Sequence, residues 1–419
     1  MVFLSVCTTF GFAEDRLHLG KTIFNLVFLS VCTTFAIVNG MIILQQSINM
    51  KKNAFKHRYF AILFAVMATL PILAANEKTI PANDKGITYT GRVEQHADGS
   101  VGYDWVGVYW ETLFTGGEIA IEASEEGASY HNIFIDDQWV RKIKIEGNTP
   151  QRIVLASKLS KNQHKVRLQK CTEGQYGKMT IHRIVLAKGG DIAPTPHKQR
   201  MIEVYGDSYT CGYGTESQKA NDPFKLETEN CDMAYGCIIA RYFDADYVLT
   251  AHSGQGMVRD WADPKQISDV NMSTRYTQVY DDHGTQPYGF DLYTPQLVII
   301  NLGTNDFSPV AIPTDEQYVG AYLKMINTIR GKYKGVKILC VTPHSAGRYL
   351  QAALQLLRER TAGMEDVFMA NPLSDMVTVE RDMGADWHPN YQGQRKIAMS
   401  LIPQISAFMG WELTPQVVE

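Results

Sequence analysis

Two different spacings of apolar residues divide the chain. Between residues 77 and 190, short runs such as EIAIEA (Glu118–Ala123), NIFID (Asn132–Asp136), RKIKI (Arg141–Ile145), Arg152–Ala156 and Lys165–Gln169 mostly alternate apolar with polar. A period of two places every second side chain on one face, so these runs predict half-buried strands. Gly116-Gly117, Asp136-Asp137, Gly147-Asn148 and Gly174 fall near the gaps and supply turn chemistry. Short strands with turn signals between them predict an antiparallel β-sandwich, jelly-roll-like, over residues 77–190. Trp105, Tyr109 and Trp110 fall within it and are expected mainly in its core, although flat amphipathic rings also suit sugar stacking.

Beyond a Gly- and Pro-containing linker (Gly189–Pro196) the period changes. Arg200–Gly206, Asp246–Ala251, Gln296–Leu302, Val336–Thr342 and Asp366–Ala370 read as strands, and QLVIINL is the continuous apolar run of a strand buried on both faces. Helical spacing separates most of them: Asp232–Phe243, a stretch opened by a capping box at Thr314-x-x-Gln317, Tyr349–Arg360, and a last helix from about Pro389 to Phe408. Pro389 suits the first turn of that helix. Five strands alternating with helices predict an α/β domain over 198–412, a doubly wound parallel sheet. Such sheets bind ligands beyond the carboxyl ends of their strands.

The first 75 residues belong to neither pattern. From Met50 a basic start (Lys51, Lys52, Lys56, Arg58) leads into an apolar run from Tyr59 to Leu73 and then Ala74-Ala75. That is the layout of a secretory signal peptide over 50–75, with cleavage expected after Ala75. VFLSVCTTF occurs at Val2–Phe10 and again at Val27–Phe35. Residues 1–49 are therefore expected to be an over-extended gene model, the competing reading being a membrane segment at Ile23–Leu44. The expected compartment is secreted or periplasmic.

Composition narrows the partners. The 419 residues carry a formal net charge of -4, so no basic excess points to nucleic acid. Five cysteines follow the signal: Cys171, Cys211, Cys231, Cys237 and Cys340. Five is odd, so one thiol at least stays unpaired; Cys231 and Cys237 are the nearest pair, and export would permit a disulfide. Neither a Cys-x-x-Cys nor a His-x-x-x-His spacing occurs, so no structural zinc site is expected.

Four features fall at equivalent points of the parallel sheet. Ser208 follows the first strand, Ser253-Gly254-Gln255-Gly256 the second, Gly303-Thr304-Asn305-Asp306 the third, and Asp386-Trp387-His388 the fifth. Turn residues need not collect at one rim of a sheet; a catalytic set must. A serine hydroxyl is a weak nucleophile until a base takes its proton, and His388 is placed to be that base. Acyl transfer also needs hydrogen-bond donors where the carbonyl oxygen gains charge. Gly254 can offer a backbone N–H and Asn305 a side-chain amide. Asp207, beside the serine, is expected to fix the turn.

Gly-Asp-Ser, the glycine of the second loop, Gly-x-Asn-Asp and a C-terminal histidine, in that order, resemble the SGNH (GDSL-type) hydrolases over about residues 200–412. The preceding sandwich, with Gly-Asp-Ser-Tyr-Thr-Cys-Gly-Tyr-Gly and Asp-Trp-His-Pro-Asn, is similar to carbohydrate esterase family two. The resemblance implies a serine esterase that removes O-acetyl groups from polysaccharides such as xylan and glucomannan, without metal or organic cofactor. Ser208 would be nucleophile and His388 base, and the oxyanion hole would come from Ser208, Gly254 and Asn305. One departure stands out: where the family carries an aspartate three residues before the histidine, this chain has Ala385. A Ser–His dyad is therefore expected, with a main-chain carbonyl orienting the imidazole and Asp386 as a candidate third member.

Competing readings are a lipase or thioesterase on the same scaffold, an esterase of bacterial envelope glycans, and an inactive carbohydrate-binding protein. Trp387 and Trp261 are candidate sugar-binding residues, with core packing as the alternative. His252 and His344 are expected to be hydrogen-bonded structural histidines, and Cys211 a packed small hydrophobe. The expected partner is an acetylated polysaccharide or oligosaccharide, with no stable membrane association once the signal is removed.

Overall fold

The computed structural model describes residues 77–373 and 377–419. The expected signal peptide and the segment before it lie outside these residues. The described residues fall within one compact unit.

Its N-terminal part is a ten-stranded antiparallel sheet. Four of the short alternating runs prove to be halves of two long strands, Ile119–Ile135 and Gln138–Ala156, paired with each other. Gly147, expected in a turn, lies opposite Glu125 in this ladder beside register shifts. The shifts have a consequence: Ile119–Gly127 pairs with Gly177–Leu186, whereas His131–Ile135 pairs with Val166–Lys170. A bulge thus hands one strand from one set of neighbours to another, which bends the sheet around an apolar core. Trp105, Tyr109 and Trp110 are buried, as their core reading requires. The linker is itself partly strand, since Ile192–Ala193 pairs with Leu113 and Phe114.

The second part is a five-stranded parallel sheet: β1 (Arg200–Gly206), β2 (Ala245–Ala251), β3 (Leu297–Asn301), β4 (Lys337–Cys340) and β5 (Val367–Met369), in the order β2-β1-β3-β4-β5. Helix α1 (Tyr235–Tyr242) and the final helix α4 (Tyr391–Met409) cover one face, where Ile238, Ile397 and Leu401 pack with Val204, Leu249 and Ile299. Helices α2 (Asp315–Lys332) and α3 (Arg348–Thr361) cover the other, where Tyr322, Ile326 and Leu354 pack with Val298, Ile300 and Ile338. The sheet is doubly wound. Its order reverses beside β1, and the loops leaving β1 and β3 therefore open the crevice in which such folds bind ligands.

Local chemistry sets the helix ends. The Thr314 hydroxyl accepts from the Gln317 amide while the Gln317 side chain accepts from the Thr314 amide, the capping box expected there. Pro389 does not open α4. It pairs with Met383 in a two-residue ladder, and Asn390 caps the helix by accepting from the amides of Gln392 and Gly393. All five described cysteines are buried free thiols, so the Cys231–Cys237 disulfide that export would permit is absent here. Among the described residues no helix is long and apolar enough to cross a membrane.

Candidate active site

Strand β1 ends at Gly206, and the chain turns at once into a single helical turn, Ser208–Cys211. The Asp207 carboxylate accepts from the Tyr209 amide at 3.1 Å, which caps the turn. Close packing leaves Gly206 no alternative, because a Cβ there would fall 1.9 Å from Thr210 Oγ1. Ser208 is consequently held at the carboxyl end of β1, an inner strand of the sheet, with its amide at the start of a helical turn.

His388 arrives from the far end of the chain. Its Nε2 lies 2.8 Å from Ser208 Oγ. Its Nδ1 faces two main-chain oxygens, Asp386 O at 3.1 Å and Ala385 O at 3.3 Å. These contacts put the ring proton on Nδ1 and the lone pair toward the serine. Burial pushes the imidazole below its ordinary value, more than the carbonyl contacts pull it up.

The Asp386 carboxylate does not join this pair. It accepts from Tyr213 Oη at 2.8 Å and from the Phe224 amide at 3.2 Å, which corrects its candidacy as third member. The cause is backbone: φ is 48° at Asp386 and 64° at Trp387, which swings the Asp386 side chain outward and leaves its carbonyl against the imidazole. Hydrogen bonds donated by the Asp386 amide to Asp222 O and by the Trp387 amide to Ala220 O hold that left-handed turn.

The loops that carry Gly254 and Asn305 leave β2 and β3, the two strands that pair with β1 on either side. Gly254 has φ +79° with open space where a Cβ would stand, and its carbonyl accepts from the Trp261 amide at 2.8 Å. Asn305 Nδ2 donates to Gln255 O at 2.9 Å, with Asp207 Oδ2 at 3.4 Å. Next to it, Asp306 accepts three amides, from Met257, Val258 and Arg259, which ties the Gly254 loop to the Asn305 loop.

Rings line the histidine. Tyr213 sits 4.2 Å from His388 by ring centroid and stacks on Phe224 at 4.1 Å. Sequence spacing did not single out Tyr213 or Phe224, although Tyr213 stands within the Gly-Tyr-Gly that follows the serine. Trp387 and Trp261 are exposed, 57% and 59%, so neither is a core residue. His252 bonds Asp281 at 2.8 Å, and His344 stacks on Tyr209. Cys211 is buried, with Sγ 3.5 Å from the Glu173 carboxylate. Glu173 comes from the N-terminal part and also accepts the Ser253 amide at 2.6 Å, a contact no local pattern announces.

The chain matches the Carbohydrate esterase 2 N-terminal family over residues 89–196 and the GDSL-like Lipase/Acylhydrolase family over 204–396. The two models meet in order on the two parts just described. The chain thus carries the N-terminal domain of carbohydrate esterase family 2 followed by a GDSL-like hydrolase domain. With esterases as its relatives and this hydrolase domain, it is a carboxylic ester hydrolase. This esterase is 28% identical over 347 residues to the cellulase/esterase CelE of Acetivibrio thermocellus, a match covering 81% of this chain and 41% of CelE. It is 27% identical over 345 residues to an acetylxylan esterase / glucomannan deacetylase of Cellvibrio japonicus, covering 81% of this chain and 93% of that protein. Among solved structures it resembles a family two carbohydrate esterase from Clostridium thermocellum in complex with cellohexaose. There the TM-score is 0.69 at 27% identity, covering 78% of this chain and all of the other.

Proposed function

We propose that this esterase is exported and removes O-acetyl groups from polysaccharides of the xylan and glucomannan kind through a Ser208–His388 dyad. The observation that carries the reading is the 2.8 Å contact between His388 Nε2 and Ser208 Oγ, with the Asn305 amide facing Asp207 beside the serine. The neutral imidazole takes the serine proton as Oγ attacks the acetyl carbonyl. The proton then passes to the leaving sugar oxygen, acetyl remains on Ser208, and water attacks that ester with His388 again as base. The Ser208 and Gly254 amides and the Asn305 side chain would donate to the oxyanion, each worth about 3–4 kcal/mol in the transition state. Asn305 has an N–H to spare for this, since its contact to Asp207 at 3.4 Å is long.

No metal or organic cofactor takes part in this sequence of steps. Exposed Trp387 and Trp261 would hold the glycan, as amphipathic rings do. Support for deacetylation comes from the related acetylxylan esterase / glucomannan deacetylase, and support for a glycan ligand from the cellohexaose complex of the structural neighbour. Export is supported by the signal-peptide layout at 50–75.

Hydrolysis of 4-nitrophenyl acetate and of the decanoate ester, with Ser208→Ala as control, tests the chemistry. The expected result is acetate preference and loss of activity in the variant. Activity that survives Ser208→Ala removes the mechanism, and preference for decanoate makes the protein a lipase. Acetate release from acetylated xylan, glucomannan and peptidoglycan, measured side by side, tests the substrate class.

A further inference from the structure

Beneath the Gly254 loop lies a buried acidic pair that the proposed reaction does not use. Glu173, Cys211 and Glu229 are fully buried and bring one side-chain donor atom each within 4.8 Å of one another. Glu173 Oε2 has partners: the Ser253 amide at 2.6 Å and the Cys211 thiol at 3.5 Å. Glu173 Oε1 and both oxygens of Glu229 meet no well-aligned N–H or O–H donor among the described residues; the Glu173 amide also acts on Glu229, but less than burial and the charge of Glu173 do. Two ionised carboxylates this close and fully buried would repel each other, and burial would strip each of bulk hydration. One proton between them removes both difficulties, because a neutral carboxyl supplies the missing donor and the anion accepts it.

We propose that Glu229 is a positioning residue: a neutral carboxylic acid whose O–H donates to Glu173, fixing the carboxylate that holds the Ser253 amide and hence the Gly254 turn. The inference rests on the serine-esterase reading above. The other charged and titratable groups facing the pair agree with this assignment. Burial first, then the charge of Glu173, pushes the Glu229 carboxyl well above its ordinary range. Lys170 opposes this as a buried cation but spends its ammonium on the carbonyls of Thr172 and Glu173. Asp281 accepts the Gly174 amide and pairs with His252, and the Cys211 thiol is held neutral by burial. A thiol that donates toward Glu173, and a carboxylate oxygen already holding an amide, describe a hydrogen-bonded cluster. Because the oxyanion donors must sit within tenths of an ångström of their place, loosening Ser253 should act on the transition state more than on substrate binding.

The test uses the full chain with 4-nitrophenyl acetate and the variants Glu229→Gln, Glu229→Ala and Ser208→Ala. Glu229→Ala should lower kcat about tenfold with KM little changed, a fraction of what deleting an oxyanion donor costs. Glu229→Gln should recover most of that loss, since its amide N–H replaces the acid's O–H. At pH 7 the infrared carbonyl band of an un-ionised carboxylic acid should be present in the wild type and weaker by one group in Glu229→Gln. The proposal is overturned if Glu229→Ala matches the wild type, if Gln loses as much as Ala, or if no acid band is lost. It is also overturned if KM rises while kcat holds, or if one metal ion per chain is found in the wild type and not in Glu229→Gln. Should the alanine variant fail to fold, the glutamine variant and the infrared band decide alone. Activity persisting in Ser208→Ala would sink the esterase reading instead, and the infrared result stands apart from that outcome.

Discussion

The imidazole of His388 is oriented by the main-chain carbonyl of Asp386, 3.1 Å from Nδ1, while the carboxylate of the same residue bonds Tyr213 and the Phe224 amide. One residue thus offers the base its backbone and offers its side chain to the wall of the site. Where a triad aspartate orients the histidine, its replacement by asparagine costs about 10⁴ in kcat. Here Asp386→Asn should lower kcat on 4-nitrophenyl acetate by less than about tenfold, because the carbonyl remains and asparagine still accepts from Tyr213. A loss approaching the triad value would show that the carboxylate acts on the base after all.

The pH dependence follows from the same burial. As the proposed base, His388 must be neutral to accept a proton, and burial holds its pKa below the ordinary 6.5. As pH rises through that lowered value the base form appears, so kcat/KM should climb on the acid side and stay level through neutrality. Asp207, beside the serine, is pushed up to about 7 by its burial and titrates close by. Asp207→Asn keeps an acceptor for the Tyr209 amide while removing that ionisation. The inflection should persist below 6.5 in this variant; its disappearance, or a midpoint above 7, would assign the profile to another group.

What could be read from the residue pattern, and what could not, separates along physical lines. Asn305 is legible because it follows the continuous apolar run QLVIINL, and a strand buried on both faces leaves little choice about where its carboxyl end lies; Ser208 is legible because Gly-Asp-Ser ends the mostly apolar MIEVYG. The alternating runs announced an antiparallel part, yet Gly147 was read as a turn. In a bulged ladder a glycine serves the bend as well as it serves a hairpin. The direction of the Asp386 side chain was not legible, since it depends on two positive φ angles held by carbonyls at Asp222 and Ala220. Glu173 was hidden for a similar reason. It reaches Ser253 from the other part of the chain, and only tertiary packing makes that contact.

The same packing makes Arg92 a stability residue. Its guanidinium donates to Tyr276 O at 2.6 Å and Gln278 O at 2.8 Å, pairs with Glu203 at 3.1 Å, and lies 4.1 Å from the Tyr288 ring. Glu203 belongs to β1, the strand that carries Ser208. Removing one partner of a buried pair leaves the other charge uncompensated, so Arg92→Ala should cost about 3–5 kcal/mol in denaturant unfolding. Arg92→Met with Glu203→Gln removes both charges and should recover part of that loss. A double variant no more stable than Arg92→Ala would mean that the orphaned carbonyls, and not the carboxylate, dominate.

A variant at Trp387 tests whether the proposed glycan binding separates from chemistry at the ester. Its ring is 57% exposed beside His388, and φ +64° at a tryptophan is a conformation its neighbours must hold. An exposed ring held in such a backbone beside the base contributes little to folding, but its face is free for a sugar. Trp387→Ala should therefore raise KM for acetylated glucomannan about five- to tenfold, in line with one lost stacking contact. The same variant should leave hydrolysis of 4-nitrophenyl acetate within about twofold, because that ester has no sugar to stack and Ser208 and His388 are untouched. Equal losses on both substrates would place Trp387 in support of the imidazole and remove it from the glycan site.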